Sequence, residues 1–291
     1  MPRKGSQQQF FFAYLLPIAA IHGAALLAVW PWLFTWTALI VMLVGTHAFG
    51  TLGINLGYHR LLSHRSFSVP RWLERVFTLL ALCCMQDTPA RWVANHRVHH
   101  AHSDDEEDPH SPVEGFVWSH VGWLFRRTSA HNLSVYQKYS RDILEDRWYM
   151  WLEKHPAFVG VVYLAHAALF FLVGLLLGGV QFGASLLVWG VFVRTVAVWH
   201  ITWSVNSLTH LFGYRNYETG DGSRNNWFVS LIGAGEGWHN NHHRDPASAS
   251  VQHRWWEFDL SYRLIWLLER VGLAWDVVPP WYTRTRNQSS S

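Results

Sequence analysis

The chain has 291 residues, half of them hydrophobic and only 15% charged, whereas soluble domains run at about 25% charged. Its net charge is +3 and its basic residues form no stripe, which argues against a nucleic-acid partner. Two adjacent cysteines, Cys83 and Cys84, exclude a disulfide framework and suit a reducing compartment, while 19 histidines supply metal-ligating and proton-transferring groups in excess.

From Gly5 to Tyr58 there is no Asp, Glu, Lys or Arg. A membrane-crossing helix needs about 20 apolar residues, so this run predicts spans at 10–30 and 33–56, turning at Trp30-Pro31-Trp32. Tryptophans flanking that proline suit a membrane interface, and no cleavable signal peptide is expected. The segment 59–154 is polar and aromatic. Its apolar run 76–85 (VFTLLALCCM) is too short to cross a bilayer and predicts an interfacial or buried helix. Residues 155–193 are again free of formal charge and predict spans at 157–177 and 184–206, parted at LGGVQFG. The pattern of 256–275 predicts an amphipathic helix on the membrane surface, and the tail RTRNQSSS reads as disordered. Neither outer turn carries Lys or Arg. Arg3 and Lys4 precede the first span, and Arg60, Arg65, Arg71, Arg75, Arg126 and Arg127 lie between the hairpins. The expected fold is all-α: one integral-membrane domain of four transmembrane helices in two hairpins. Both termini and a helical cap (59–154 and 207–280) are cytoplasmic, with a bacterial inner membrane as the expected location.

The histidines gather at the cytoplasmic ends of these spans. HRLLSH holds His59 and His64, HRVHH holds His96, His99 and His100, HNNHH holds His239, His242 and His243, and His210 follows the fourth span. Positions i, i+3 and i+4 share one helical face, so each HxxHH presents three imidazoles together. His59 and His64 are about 140° apart on an α-helix; they flank a metal pair, or the helix loosens there. Imidazole suits iron, copper, zinc and nickel. Eight or nine histidines exceed the four ligands of one zinc and point to two metals, with iron the natural redox-active pair. His22, His47, His120, His131, His155, His166 and His253 read as structural or exposed. His200, inside a span, is ambiguous, and His102 and His110 read as neighbours of the second cluster rather than ligands. The acidic run 103–110 reads as a solvated loop in which Asp108 is placed to orient a ligand.

The motifs GYHRLLSHRSF, NHRVHHAHSDDEEDPHSP, SHVGWLF, WSVNSLTHLFG and GEGWHNNHH make residues 45–275 resemble the integral-membrane fatty acyl desaturases of the stearoyl-CoA desaturase type. The resemblance implies a four-span protein with a dinuclear iron centre. Its ligands would be His59, His64, His96, His99, His100, His210, His239, His242 and His243, with Asn206 reaching one iron through water. Eukaryotic CoA-using members carry Arg-Asp before the second histidine box; Ala94 and Asn95 stand here. Arg126 and Arg127 follow GWLF, where that group has basic residues, and are the candidates for the substrate head group. Acyl-CoA is the first expectation, with phospholipid-bound or carrier-bound chains open.

The expected activity is oxygen-dependent insertion of a cis double bond, at the delta-9 position, into a long saturated acyl chain. Unactivated methylenes are beyond acid–base side chains, so a cofactor must carry the chemistry. No flavin or nicotinamide fingerprint and no CxxC occurs. The expected partners are therefore O2 and an external electron donor with its reductase: a ferredoxin, a rubredoxin or a cytochrome b5-like protein. Trp92, Trp118, Trp203 and Trp238 are candidates for the wall of an acyl tunnel. The alternatives are a hydroxylase on the same scaffold, a membrane haem electron carrier, and a metal transporter. The last would place ligands and carboxylates near the bilayer midplane.

Overall fold

The computed structural model describes residues 10–126 and 133–288, and their regular structure is helical throughout, with isolated bridges and no strand. Three stretches among them are long and apolar enough to cross a membrane: Phe12–Val29, Trp36–Ser63 and Phe158–Leu211.

Helix α1 (Phe12–Ala25) runs through one short 3-10 turn to Trp30, where the backbone becomes extended, and Pro31 opens another. Trp30 and Trp32 are exposed at this turn. The Thr35 hydroxyl then caps α2 (Trp36–His47) by accepting from Ala38 N at 3.1 Å. The helix runs on beyond the predicted span, to Ser63, changing at Ala48 into a π-helix of 16 residues. The wider winding matters for the site. With i→i+5 bonds, residues five apart stack on one side. His64 N donates to His59 O at 3.1 Å, and the two imidazole centroids are 4.8 Å apart.

Helix α3 (Arg71–Leu82) contains most of the short apolar run. Phe77 and Leu73 pack with Leu56 and Leu61 of the π-helix, and Ala81 and Leu82 with Ile54, Tyr58 and Leu62. Trp72, Val76 and Leu79 face outward. Pro89 starts α4 (Pro89–Ala101), where its missing N–H is no loss. Short helices α5 (Phe116–His120), α6 (Leu133–Tyr139), α7 (Arg141–Leu144) and α8 (Arg147–Lys154) follow.

Helix α9 (Phe158–Leu187) is broken at Gly178 and Gly179, the latter at φ 79° and ψ −173°. The limbs on either side touch: a Cβ on Gly174 would lie 2.7 Å from the Cα of Gly183. A second π-helical segment, Val188–Val193, leads into α10 (Arg194–Leu211), which runs past the expected end at 206. Then come α11 (Trp227–Ile232), α12 (His239–Arg244), α13 (Leu260–Arg270) and α14 (Trp281–Gln288). Helix α13 is shorter than the pattern over 256–275 predicts, because Asp259 caps its start and Gly272, at φ 75°, follows its end. It buries Ile265 and exposes Trp266 and Leu267. The expected disorder from residue 284 is corrected as far as Gln288: the chain is helical there, and Arg284 is tied to Asp245.

Candidate metal centre

All nine predicted histidines converge. The imidazoles of His59, His64, His96, His100 and His242 form one set, and those of His99, His210, His239 and His243 a second; within each set the ligating nitrogens lie within 4.8 Å of one another. Helical spacing puts His96 and His100, one turn apart on α4, into the first set and sends His99 into the second. On α12 the same i, i+3, i+4 pattern divides His242 from His239 and His243. His210 comes from the end of α10. Facing Nε2 atoms are close: His64 to His96 at 2.7 Å, His59 to His242 at 3.1 Å, His210 to His239 at 3.1 Å and His99 to His243 at 3.3 Å.

Four of the rings lean on carboxylates through Nδ1. His99 meets Asp108 at 2.9 Å, His243 meets Asp221 at 2.6 Å, and His59 meets Glu236 at 2.7 Å. His210 Nδ1 lies 3.0 Å from Asp104 Oδ1. An imidazole whose Nδ1 proton is held by a carboxylate presents a bare lone pair at Nε2. His99 and His243 both rest Nδ1 on a carboxylate, and their Nε2 atoms face each other at 3.3 Å. Burial lowers His99, but Asp108 outweighs it and raises the ring above the ordinary histidine value. The donor set therefore fits a metal pair: nitrogen-rich, oriented from behind, and largely buried.

The electrostatics agree. Burial pushes His96, His100, His239 and His242 well below the usual histidine range, so they are neutral and ready to ligate. Burial raises Glu236, but Arg60 and His59 outweigh it and hold the carboxyl at about 2. Asp108 is likewise held down, by His99 and His110. Arg60 is itself buried and ties the π-helix to the cap, donating to Glu236 at 2.7 Å, to Asp259 at 2.9 and 3.0 Å, and to the Ala249 carbonyl at 2.7 Å. Asn240 and Asn241 of HNNHH have no exposed surface. Asn241 is held by Asn225 and Glu257, and Asn240 accepts from Asn216 N and Tyr217 N. Gly237 lets α11 approach: a Cβ there would lie 2.1 Å from Ser230 N.

The solvated-loop reading of 103–110 is corrected in part. Asp105, Glu106 and Glu107 are exposed, but Asp108 is fully buried and Asp104 turns inward to His210. Asp221 and Glu236 were not anticipated; the only sequence signal is that Glu236 precedes His239 by three residues. Among the remaining histidines, His110 is buried beside Asp108 and forms a third potential group with His99. His102 lies 3.3 Å from both Glu107 and Tyr139, outside the two sets. His22, His200 and His120 make a chain of contacts at 3.2 and 3.0 Å, also apart from them.

A cavity of about 420 Å³ runs to the first set. Its walls include His96, His110 and Asn206 together with Trp92, Trp123, Trp199 and Trp203. Trp118 and Trp238 do not line it; Trp238 donates instead to the Phe258 carbonyl. The Arg126 guanidinium stacks 4.8 Å from the Phe10 ring. Arg127 and His131 lie outside the described residues.

A profile of the family described as "Fatty acid desaturase" matches residues 30–278. The sn-2 palmitoyl-lipid 9-desaturase of Nostoc sp. (strain 36) is 42% identical over 96% of this chain and 95% of its own. The sn-1 stearoyl-lipid 9-desaturase of Anabaena variabilis is 45% identical over 88% of this chain and 90% of its own. An acyl-CoA 5-desaturase of Anemone leveillei is 40% identical over 95% of this chain and 82% of its own. The chain belongs to the fatty acid desaturase family and is an oxidoreductase acting on acyl groups.

Proposed function

We propose that the protein introduces a cis double bond at the delta-9 position of a saturated acyl chain carried by a glycerolipid, using a non-haem diiron centre. The carrying observation is the convergence of nine imidazoles into two adjacent sets, each with its ligating nitrogens within 4.8 Å of one another. One iron is assigned to His59, His64, His96, His100 and His242, and the other to His99, His210, His239, His243 and, through water, Asn206. When bound, the metal pair supplies the oxidation by which O2, two electrons and two protons take two hydrogens from the chain and leave two waters. The protein's own residues place the substrate and keep bulk water out. Trp92, Trp199 and Trp203 wall the acyl cavity, and Asp108, Asp221 and Glu236 fix the tautomers of the rings behind. A ferredoxin, rubredoxin or cytochrome b5-like donor with its reductase supplies the electrons at the cytoplasmic face.

The fourth membrane crossing comes from the 54-residue stretch Phe158–Leu211. At 1.5 Å per residue it is far longer than the roughly 30 Å hydrocarbon core, and its glycine break divides it into two spans. With α1 and α2 it completes two hairpins, with both termini and the cap in the cytoplasm and the whole chain acting as one domain.

The cavity mouth supports a glycerolipid rather than a free thioester. Ala13, Pro156 and Ala157 line the cavity and are exposed, at the starts of α1 and α9. That is the depth of the lipid head-group boundary, where a glycerol ester sits and one chain slides inward. Arg126 and Arg127, two and three positions after the cavity residue Leu124, are retained as head-group contacts. The test is turnover in nanodiscs of 1-stearoyl-2-oleoyl-phosphatidylglycerol with ferredoxin and its reductase, read by mass spectrometry of intact lipid. A cis-9 monoene formed on the lipid is expected. An oxygen-bearing chain without a new double bond, or conversion of stearoyl-CoA alone, contradicts the reading.

A further inference from the structure

Helix α10 carries a fully buried charge that the metal centre does not use. Arg194 has no exposed surface. Its partners are the carbonyls of Gly190 and Cys83, at 3.3 and 3.1 Å, the Cys84 sulfur at 3.6 Å, His166 Nε2 at 2.7 Å and the ring of Phe49, rather than a carboxylate. His166 gives its Nδ1 proton to the Tyr163 carbonyl at 2.8 Å, so its Nε2 accepts from Arg194. Burial pushes the Cys84 thiol up to about 12, so no thiolate neutralises the guanidinium. An unneutralised charge among membrane helices is costly and calls for a function.

What Arg194 holds is the end of α3. Cys83 is its C-cap, where unpaired carbonyls point out of the helix. One turn along α10, the Trp199 indole donates to the Cys84 carbonyl at 2.7 Å. Beyond these clamps the chain makes an awkward loop: Met85 and Asp87 both have positive φ, 53° and 74°, which L side chains seldom adopt. Gln86 between them donates to Thr202 of α10 at 3.0 Å and accepts from Trp92 at 3.3 Å. Met85, Gln86 and Asp87 form a wall of the cavity. The same helix carries Asn206 and His210 farther along.

Resting on the desaturase reading above, we infer that Arg194 is a positioning residue: with Trp199 it locks the 83–88 loop to α10 and so fixes where the acyl chain bends relative to the metal centre. The position of the double bond then depends on this clamp. Arg194 touches neither substrate nor metal ligands; it acts through the carbonyls at the end of α3.

The test compares wild type, Arg194→Gln and Arg194→Lys in the nanodisc assay, with iron content, double-bond position and hydrogen exchange of the 83–88 amides all measured. Iron content should be unchanged. Exchange of the loop should rise, and bonds displaced from the wild-type position should increase about tenfold relative to the main isomer, the change in partition expected for one lost hydrogen bond to a charged group. Arg194→Lys, which keeps the charge but not the fork, should rescue only in part. If Arg194→Gln does not fold, Arg194→Lys, which lies off the cavity wall and loses only the fork, decides by the same exchange and isomer readouts. Variants that slow turnover while keeping one isomer and wild-type loop protection overturn the clamp. A wild type that makes no unsaturated lipid contradicts the desaturase reading, and loop exchange still reports on the clamp in that case.

Discussion

Asp108 accepts the Nδ1 proton of His99 at 2.9 Å, and both side chains are buried. The carboxylate fixes which nitrogen of His99 faces the centre and makes that nitrogen a better donor to a cation. Asp108→Asn keeps the size but loses the charge. It should lower metal affinity about 10- to 100-fold with the helical content unchanged, measured by metal titration of the purified protein. Glu107→Gln, beside Asp108 in the chain but exposed and directed to His102, should bind as wild type. Equal affinity in Asp108→Asn would mean that the pair is only a structural contact.

Arg60 joins two buried carboxylates that belong to different parts of the chain, Glu236 and Asp259. Replacing it with methionine leaves both acids buried without their cation. Breaking a buried ion pair from one side costs about 3–5 kcal/mol, so Arg60→Met should melt markedly below wild type in the same detergent. The loss should be smaller in an Arg60→Met, Asp259→Asn double variant, because one stranded charge is then removed. A single variant that melts within a degree or two of wild type would show that the pair is solvated in solution.

The neutral histidines give the metal-free protein a defined acid response. An unfolded histidine takes up a proton near about 6.5. Burial holds His96, His100, His239 and His242 well below that in the folded chain. As pH falls below 6.5 the unfolded state therefore binds more protons than the folded one, and stability falls with pH across that window. Thermal unfolding of metal-free protein should be nearly flat from pH 8 to 7 and drop steadily towards pH 5.5. Bound metal should move the drop to lower pH, since protons and metal compete for the same nitrogens. A melting temperature that is constant down to pH 5.5 would contradict the neutral cluster.

The site was more legible in the sequence than the fold that holds it. HRVHH and HNNHH revealed themselves because an α-helix puts i, i+3 and i+4 on one face, and α4 and α12 are α-helical there. HRLLSH was ambiguous for a physical reason: hydrophobic periodicity does not announce a π-helix, and only the wide turn of Ala48–Ser63 brings His59 and His64 together. The carboxylates were concealed by composition. Asp104 and Asp108 bracket three exposed acids, so the run as a whole looked solvated, and Asp221 stands far from any histidine in the chain. Arg194 was hidden because it falls as a lone arginine inside the predicted 184–206 span, and its partners come from the end of α3 and from α9, distant in sequence.

Metal analysis of protein purified in active form bears most directly on the whole account. Two irons per chain are expected, lost together on chelation with the activity and restored together by ferrous iron. Active protein that contains a single metal, zinc, or no iron would contradict it.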